Sequence, residues 1–212
     1  IIGYADLLRS VELSTDETYQ ALDYIYSQGK RLESLSYKLM DLFVLKKKEI
    51  TFLPFSTKTL ADMICSVTKQ SLASKEITLE LSLEDSILLG DSELLLSLIV
   101  NLIDNAKKAS VKGQTIHVTG QCLVDCYQIS IRDEGRGIPK EEITNITKPF
   151  YMVDKSRSRK EGGAGIGMSL CQEIIRLHHA KWQIDSEVNH GTTITITFPD
   201  QNEKIKNQPS HR

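Results

Sequence analysis

A long stretch without proline, from Ser14 to about Lys48, constrains the fold of this chain more than any other feature. Ser14 or Thr15 can cap a helix at its start, and the acidic residues Asp16 and Glu17 suit the positive end of that helix. A helix of this length is unusual inside a small compact domain. The stretch therefore predicts a helical unit that is separate from the rest of the chain.

One face of this predicted helix has the spacing of a helix that packs lengthwise in a bundle. The positions of this stripe are separated by alternating steps of three and four residues. They are Leu22, Ile25, Gly29, Leu32, Ser36, Leu39 and Phe43, and Leu35 and Leu42 make the stripe wider. Residues 1–9 form a second amphipathic segment without an N-cap, which is typical of a helix cut in its middle. We predict that residues 1–49 are part of an antiparallel helical hairpin that pairs with a second copy. Packing of the stripe against its own chain is the alternative.

Composition limits the classes of function. With 26 basic and 28 acidic residues the net charge is -2, which gives no reason to expect binding to nucleic acid or to an anionic membrane. The four cysteines lack a C-x-x-C spacing and are interpreted as reduced, mostly buried thiols. The longest apolar stretch, 94–103, is interrupted by Ser97 and Asn101 and is too short to span a bilayer. We expect this part of the protein to be soluble and cytoplasmic, without membrane contact.

The pattern changes at Ile50, where we place a domain boundary. The predicted elements that follow are strands at 50–55, 77–83, 87–89, 115–124, 127–132, 182–185 and 192–198, and helices at 57–73, 91–109 and 166–179. Residues 135–163 form a long, polar, glycine-rich stretch, and loops of that length inside a domain are usually functional. We therefore divide the chain into residues 1–49, a domain at 50–200 and a polar tail at 201–212.

Two asparagines on the helix at 91–109 could take part in metal binding. Asn101 and Asn105 are four residues apart and share one face. Their oxygens could ligate a Mg²⁺ ion that takes its other ligands from water and phosphate, with Lys108 one turn further on for a phosphate oxygen. Ordinary polar residues that face solvent are the alternative interpretation.

Three further signals have the chemistry of a nucleotide site. Asp133 follows a strand directly, and its carboxylate suits the amine of adenine, although D-x-G-x-G is also found in tight turns and calcium loops. The glycine run at 162–167 opens a helix, where backbone N–H groups can hold phosphate. It lacks the Gly-Lys-Ser/Thr of a Walker A loop and the strand of a dinucleotide fingerprint. Thr192 places a hydroxyl at the start of the last strand, where β propensity is the simpler explanation.

The order of these signals resembles a known family. The motifs N-L-x-x-N-A-x-K, D-x-G-x-G-I-P, K-P-F-Y, G-G-x-G-I-G and H-G-T-T are similar to the N, G1, F, G2 and G3 boxes of histidine kinases. That family shares an ATPase superfamily with gyrase-type topoisomerases and mismatch-repair ATPases. The resemblance covers residues 50–199. It implies an α+β fold, in which an α/β sandwich with a mixed sheet and helices on one face follows the dimerising hairpin.

The resemblance also assigns roles at the site, with ATP and Mg²⁺ as the implied cofactors. Asn105 would ligate Mg²⁺, Lys108 would contact phosphate, and Asp133 would recognise adenine. Thr192 would reach adenine through water, and Phe150 would anchor the ATP lid. The glycines that would shape the base pocket or hinge the lid are Gly135, Gly137, Gly163, Gly165 and Gly167.

The sequence departs from the family pattern after the Phe-Tyr pair. Many relatives have an arginine there, whereas this chain has Met152, so the charge that neutralises phosphate must come from elsewhere. Lys148 also stands where glutamate is common. The available cations, which could equally be a solvated basic segment, are Lys155, Arg157, Arg159 and Lys160.

The function implied by the resemblance is phosphoryl transfer. ATP would phosphorylate a histidine of the hairpin, and the phosphate would pass to an aspartate of a response regulator. Residues 1–9 resemble the stretch just after that histidine, which would lie upstream of Ile1, and none of the five histidines present replaces it. The full-length protein would be a membrane-anchored, homodimeric sensor.

Two other functions are considered. An ATP-hydrolysing conformational switch would need a glutamate at Asn101, since an amide cannot accept a proton from water as a general base does. A dimerisation module with an inactive nucleotide site would be expected to have lost pocket residues, and these are intact.

Overall fold

The computed structural model describes residues 1–153 and 165–199 of the chain. Its helices are α1 (Ile2–Ser10), α2 (Thr15–Lys47), α3 (Thr57–Ala73), α4 (Ser92–Ala109) and α5 (Gly167–Leu177). Its strands are β1 (Leu53–Ser56), β2 (Thr78–Leu83), β3 (Ile87–Gly90), β4 (Thr115–Leu123), β5 (Cys126–Asp133), β6 (Lys181–Glu187) and β7 (Gly191–Pro199). A 3₁₀ turn at Lys140–Glu142 follows Pro139. The predicted elements are confirmed to within a few residues at their ends, and the largest difference is that β1 begins at Leu53 rather than at Ile50.

A five-stranded mixed sheet with helices on one face forms the larger part of the fold, as predicted. Its strand order is β2-β4-β5-β7-β6, with β2 parallel to β4 and the other neighbours antiparallel. Strands β1 and β3 pair separately. Alternate residues such as Ile116, Ile129 and Ile196 are buried together with the apolar faces of α3, α4 and α5. Each such side chain stabilises the fold by about 1.5 to 3 kcal/mol.

The apolar stripe of helix α2 is partly buried and partly exposed, and the sequence pattern did not distinguish the two parts. A capping box between Ser14 and Glu17 starts the helix, which runs for 33 residues. Near its C-terminus Leu42 and Leu45 are buried in the core of the sheet domain, and Leu35 and Leu39 pack against that core. The self-packing alternative therefore holds for this part of the stripe. Other members stay exposed: Leu22 by 51%, Leu32 by 56% and Phe43 by 66%.

The cysteines differ from the prediction. All four are within the described residues, but Cys65 and Cys122 are exposed, and only Cys171 is buried. The expectation that the thiols are mostly buried is therefore wrong. Burial raises the pKa of the Cys171 thiol to about 12, so this thiol is protonated at neutral pH. Within residues 1–153 and 165–199, no helix has both the length and the apolar character needed to cross a bilayer.

A buried histidine joins the end of α5 to the start of α4. The Nδ1 atom of His178 lies 2.8 Å from the carbonyl oxygen of Ile174, and its Nε2 atom accepts a hydrogen bond of 3.1 Å from the Asp91 N–H. These partners require the neutral ring with its proton on Nδ1. Desolvation by burial lowers the pKa of His178, although its hydrogen bonds and the nearby Asp91 carboxylate oppose the shift.

This arrangement predicts a loss of stability in mild acid. Because the folded-state pKa is lowered, the contribution of His178 is present above the unfolded pKa of about 6.5 and is lost as the pH falls through the folded pKa. Chemical unfolding of the parent and of His178→Gln between pH 7 and pH 5 measures this effect. We expect a shallower pH dependence for His178→Gln, and the parent's dependence for the exposed control His190→Gln. Equal slopes for the parent and His178→Gln would contradict the assignment.

Candidate nucleotide-binding site

A cavity of about 440 Å³ lies where α4, α5 and the ends of β5 and β7 meet. Most of the predicted site residues line it, namely Asn101, Asn105, Lys108, Asp133, Gly137, Gly165, Gly167 and Thr192. Its volume is within the range of small-molecule sites. Gly135 and Phe150 are described but are not among the lining residues, whereas Lys155, Arg157, Arg159, Lys160 and Gly163 lie outside the described residues.

Asp133 is a buried carboxylate held by backbone donors. It is 6% exposed at the end of β5, opposite Thr192 of β7. Its Oδ1 atom accepts a hydrogen bond of 2.8 Å from the Gly135 N–H. Burial raises the pKa of Asp133, and the backbone hydrogen bonds from Gly135 and Thr192 oppose that shift. The carboxyl is thus fixed in position before any ligand arrives, which favours recognition of a donor such as an amine.

Two glycines allow the turn after β5 to pack closely against the β6–β7 turn. Gly137 has φ 67°, and a Cβ there would lie 1.9 Å from the carbonyl oxygen of Glu187. Gly191 has φ 94°, and its Cβ would lie 2.0 Å from the carbonyl oxygen of Asp133. The Asn189 N–H also donates to the Arg136 carbonyl at 2.7 Å. Only glycine permits these approaches, which place the wall of the cavity next to Asp133.

Ser186 supports the same wall and was not found by sequence reasoning. Its hydroxyl accepts from the Ile138 N–H at 2.8 Å, donates to the Gly191 carbonyl at 3.0 Å, and lies 2.8 Å from the Thr192 hydroxyl. It therefore positions Thr192, whose side chain is buried. A signal was available, because Ser186 continues the inward-facing positions of Trp182 and Ile184 on β6.

The two asparagines of α4 have different surroundings. The amide of Asn101 donates to the Ser97 carbonyl at 2.8 Å, and its Oδ1 lies close to Gly167, where a Cβ would be 3.4 Å away. The amide of Asn105 donates to the sulfur of Met168 at 3.1 Å. Its oxygen could serve as one ligand of a Mg²⁺ ion that takes its other ligands from phosphate and water. Within the described residues, no group of three or more His, Cys, Asp or Glu side chains could hold a metal ion by itself.

Lys108 contributes positive charge at the end of α4. Its Nζ lies 3.3 Å from Asp104, which also pairs with Lys107 at 2.8 Å. Burial raises the pKa of Asp104, but the hydrogen bonds and charges of the two lysines outweigh it, so the net shift is downward. Asp104 is therefore ionised at neutral pH and holds Lys108 at the cavity.

The remaining predicted residues have supporting positions. The Phe150 N–H donates to the Gly165 carbonyl at 2.8 Å, while the Phe150 side chain is 53% exposed. A Cβ at Gly135 would lie 2.7 Å from the backbone of Ala109, so this glycine permits close packing of the turn on α4. Gly165 has φ 69° and lies against the backbone of Phe150. Their roles in base binding and lid anchoring remain predictions.

The chain is similar to known histidine kinases. It is 30% identical to the sensor histidine kinase YkoH of Bacillus subtilis over 208 residues, which cover 95% of this chain and 44% of YkoH. It is 47% identical to the histidine-protein kinase ArlS of Staphylococcus aureus over 96 residues, or 45% of this chain and 21% of ArlS. The chain thus spans less than half the length of these relatives.

Structural and family comparisons agree with the geometry. The histidine kinase ThkA, solved in complex with the response regulator TrrA, matches with a TM-score of 0.75 at 19% identity, over 95% of this chain and 57% of ThkA. This likeness shows a shared fold. The family model for histidine kinase-, DNA gyrase B- and HSP90-like ATPases matches residues 90–202, the part that contains the cavity-lining helix α4, Asp133 and Thr192. The chain therefore belongs to this ATPase family, and it contains the catalytic domain of a histidine kinase.

Proposed function

We propose that this chain is the catalytic core of a sensor histidine kinase, which binds Mg-ATP and transfers its γ-phosphoryl group to a histidine upstream of Ile1. The observation that carries the proposal is the buried carboxylate of Asp133, fixed by backbone N–H groups in a cavity that also contains Asn105 and Lys108. Membership of the ATPase family supports the nucleotide.

Each residue contributes binding or charge neutralisation. The Asp133 carboxylate accepts a hydrogen bond from the adenine amine, with Thr192 and Ser186 beside it. Asn105 supplies an oxygen to Mg²⁺, and Lys108 contacts a phosphate oxygen. Bound Mg²⁺ supplies neutralisation of the charge that develops on the phosphates. Positioning and electrostatic stabilisation account for most of the catalysis in phosphoryl transfer.

The acceptor and the partners follow from the same proposal. The exposed side of α2, which includes Leu22, Leu32 and Phe43, supports homodimerisation through the hairpin. The complex of ThkA with TrrA supports a response regulator as the protein that receives the phosphate. The similarity to the sensor histidine kinase YkoH supports a sensor as the full-length protein. Anchoring of that protein in the membrane remains a prediction.

ATP hydrolysis as the main activity is less compatible with the site. The side-chain amide of Asn101 donates a hydrogen bond to the Ser97 carbonyl. An amide cannot take a proton from water as a glutamate can. In transfer to a protein side chain the nucleophile is that side chain and not water, which agrees with an amide at this position.

Incubation of the full-length parent protein with γ-labelled ATP tests the proposal. We expect label on the protein that is lost in acid and kept in base, as for phosphohistidine, and that moves to a receiver domain added afterwards. At ATP concentrations below the dissociation constant of the unsubstituted protein, the Asp133→Asn variant should be labelled at least about 10-fold more slowly. Rapid release of inorganic phosphate without protein labelling would favour the hydrolytic switch and contradict the kinase.

The metal position can be tested by a pair of matched substitutions. Asn105→Asp and Asn101→Asp each add one negative charge to the same cavity. We expect Asn105→Asp to change Mg-ATP affinity more, by about 10-fold or 1.4 kcal/mol, because only Asn105 is assigned to the metal. Titration calorimetry with and without Mg²⁺ separates the metal from the nucleotide. The reverse ranking would show that the metal lies at Asn101.

A further inference from the structure

Lys38 brings a positive charge from the hairpin to the nucleotide cavity. It lies on α2, more than sixty residues before the asparagines of α4 in the sequence, yet it lines the same cavity as Asn101, Asn105 and Lys108. Its helix face is fixed there, because Leu35 and Leu39 pack against the core on either side of it and Leu42 is buried in that core. The lysine is therefore held beside the cavity by the packing of α2.

The charged residues around Lys38 favour the binding of an anion next to it. Asp104, the carboxylate at this end of the cavity, is already paired with Lys107 and Lys108. Among the salt bridges of the described residues, none includes Lys38. Burial lowers the pKa of Lys38, and the charge of Lys108 acts in the same direction, while Asp104 and Cys171 oppose them. An anionic ligand would offset both unfavourable effects.

The segment after Phe150 leaves the phosphates without a neutralising charge at Met152. Met152 lines the cavity but carries no charge, so it cannot neutralise a phosphate. Within the described residues, the charged side chains that line the cavity are the cations Lys38, Lys108 and Arg136 and the carboxylates Asp104 and Asp133. The three cations exceed the two carboxylates, and this excess of positive charge favours a polyphosphate.

We propose that Lys38 binds the polyphosphate of the nucleotide, so that nucleotide binding also fastens the hairpin helix α2 to the ATP-binding domain. This inference rests on the proposed binding of ATP in the cavity. Because the phosphate contact comes from a different segment than the adenine contact, the two can be separated experimentally. By linkage, a nucleotide that binds better when α2 is docked also stabilises the docked α2.

Calorimetry with ligands that differ in phosphate content tests the contact. We expect Lys38→Gln to weaken Mg-ATP binding by about 10-fold, the lower end for a charge-assisted hydrogen bond, and to leave adenosine binding unchanged. Lys46→Gln is the matched control, because Lys46 is an exposed lysine of the same helix that does not line the cavity. Lys38→Arg should keep most of the Mg-ATP affinity.

The outcomes distinguish this inference from the proposed function. If the parent binds neither adenosine nor Mg-ATP, the proposed function itself is wrong. If the parent binds Mg-ATP and Lys38→Gln binds it equally well, or if Lys38→Gln loses adenosine and Mg-ATP affinity alike, Lys38 is not a phosphate contact. Hydrogen exchange gives a second measurement: Mg-ATP should slow exchange of the α2 amides in the parent and in Lys46→Gln, but less in Lys38→Gln. Equal protection in all three would overturn the proposed fastening of α2.

Discussion

Replacement of Asp133 by asparagine is expected to weaken ATP binding by roughly 10- to 150-fold, or 1.5 to 3 kcal/mol, without loss of the fold. The carboxylate is buried and accepts the Gly135 N–H at 2.8 Å. Asparagine keeps an oxygen for that bond but removes the charge that strengthens the bond from the adenine amine. Titration calorimetry with ATP measures the effect directly.

The same substitution should not lower stability at neutral pH. Burial raises the pKa of Asp133 in the folded state. A carboxyl whose folded pKa is raised costs stability once the pH exceeds its unfolded pKa of about 3.9, because the folded state resists ionisation. Asparagine removes this cost, so urea unfolding at pH 7 should show Asp133→Asn to be at least as stable as the parent.

Base preference and a control sharpen this test. An ionised aspartate only accepts hydrogen bonds, whereas an asparagine amide can also donate to the carbonyl of guanine. The preference for ATP over GTP should therefore decrease in Asp133→Asn. Asp125→Asn, at an exposed position in the β4–β5 turn, should change neither affinity nor stability. Unchanged ATP affinity in Asp133→Asn, or loss of its fold, would contradict the assignment.

The parts of the site that could be predicted from sequence are those with local signals. Asp133 follows an alternating strand and precedes two glycines, and α4 is apolar except for a few polar positions that include Asn101 and Asn105. Hydrophobic period and glycine spacing are properties of neighbouring residues, so a sequence displays them. The order of the motifs then supplied the fold class through the family resemblance.

The parts that could not be predicted depend on contacts between distant segments. Lys38 reaches the cavity because α2 docks on α5, and the helical period of α2 does not say which of its faces docks. The docking of one face of α2 also explains why only part of its apolar stripe is buried. Leu35, Leu39 and Leu42 pack against the core, whereas Phe43 is exposed to solvent. Cys122 is exposed because it lies near the outer end of β4, although cysteine is usually a buried residue.

The glycine of the last turn offers the largest expected effect on stability. Gly191 and Gly113 both have positive φ, at 94° and 86°, so alanine is strained at either position. At Gly113 a Cβ would meet nothing within 4 Å, whereas at Gly191 it would lie 2.0 Å from the carbonyl oxygen of Asp133. That oxygen belongs to β5, and Gly191 belongs to β7, the strand paired with it, so relief of the clash requires displacement of one strand from the other.

We therefore expect Gly113→Ala to lower the free energy of unfolding by about 1 kcal/mol, and Gly191→Ala to lower it by more than about 3 kcal/mol. Urea unfolding of both variants and the parent measures the difference. Because the displaced oxygen is that of Asp133, Gly191→Ala should also bind ATP more weakly under conditions where it is still folded, while Gly113→Ala should bind as the parent does. Equal destabilisation by the two substitutions would mean that the turn can relax, and that the close approach of Gly191 to Asp133 does not hold the adenine-binding carboxylate in place.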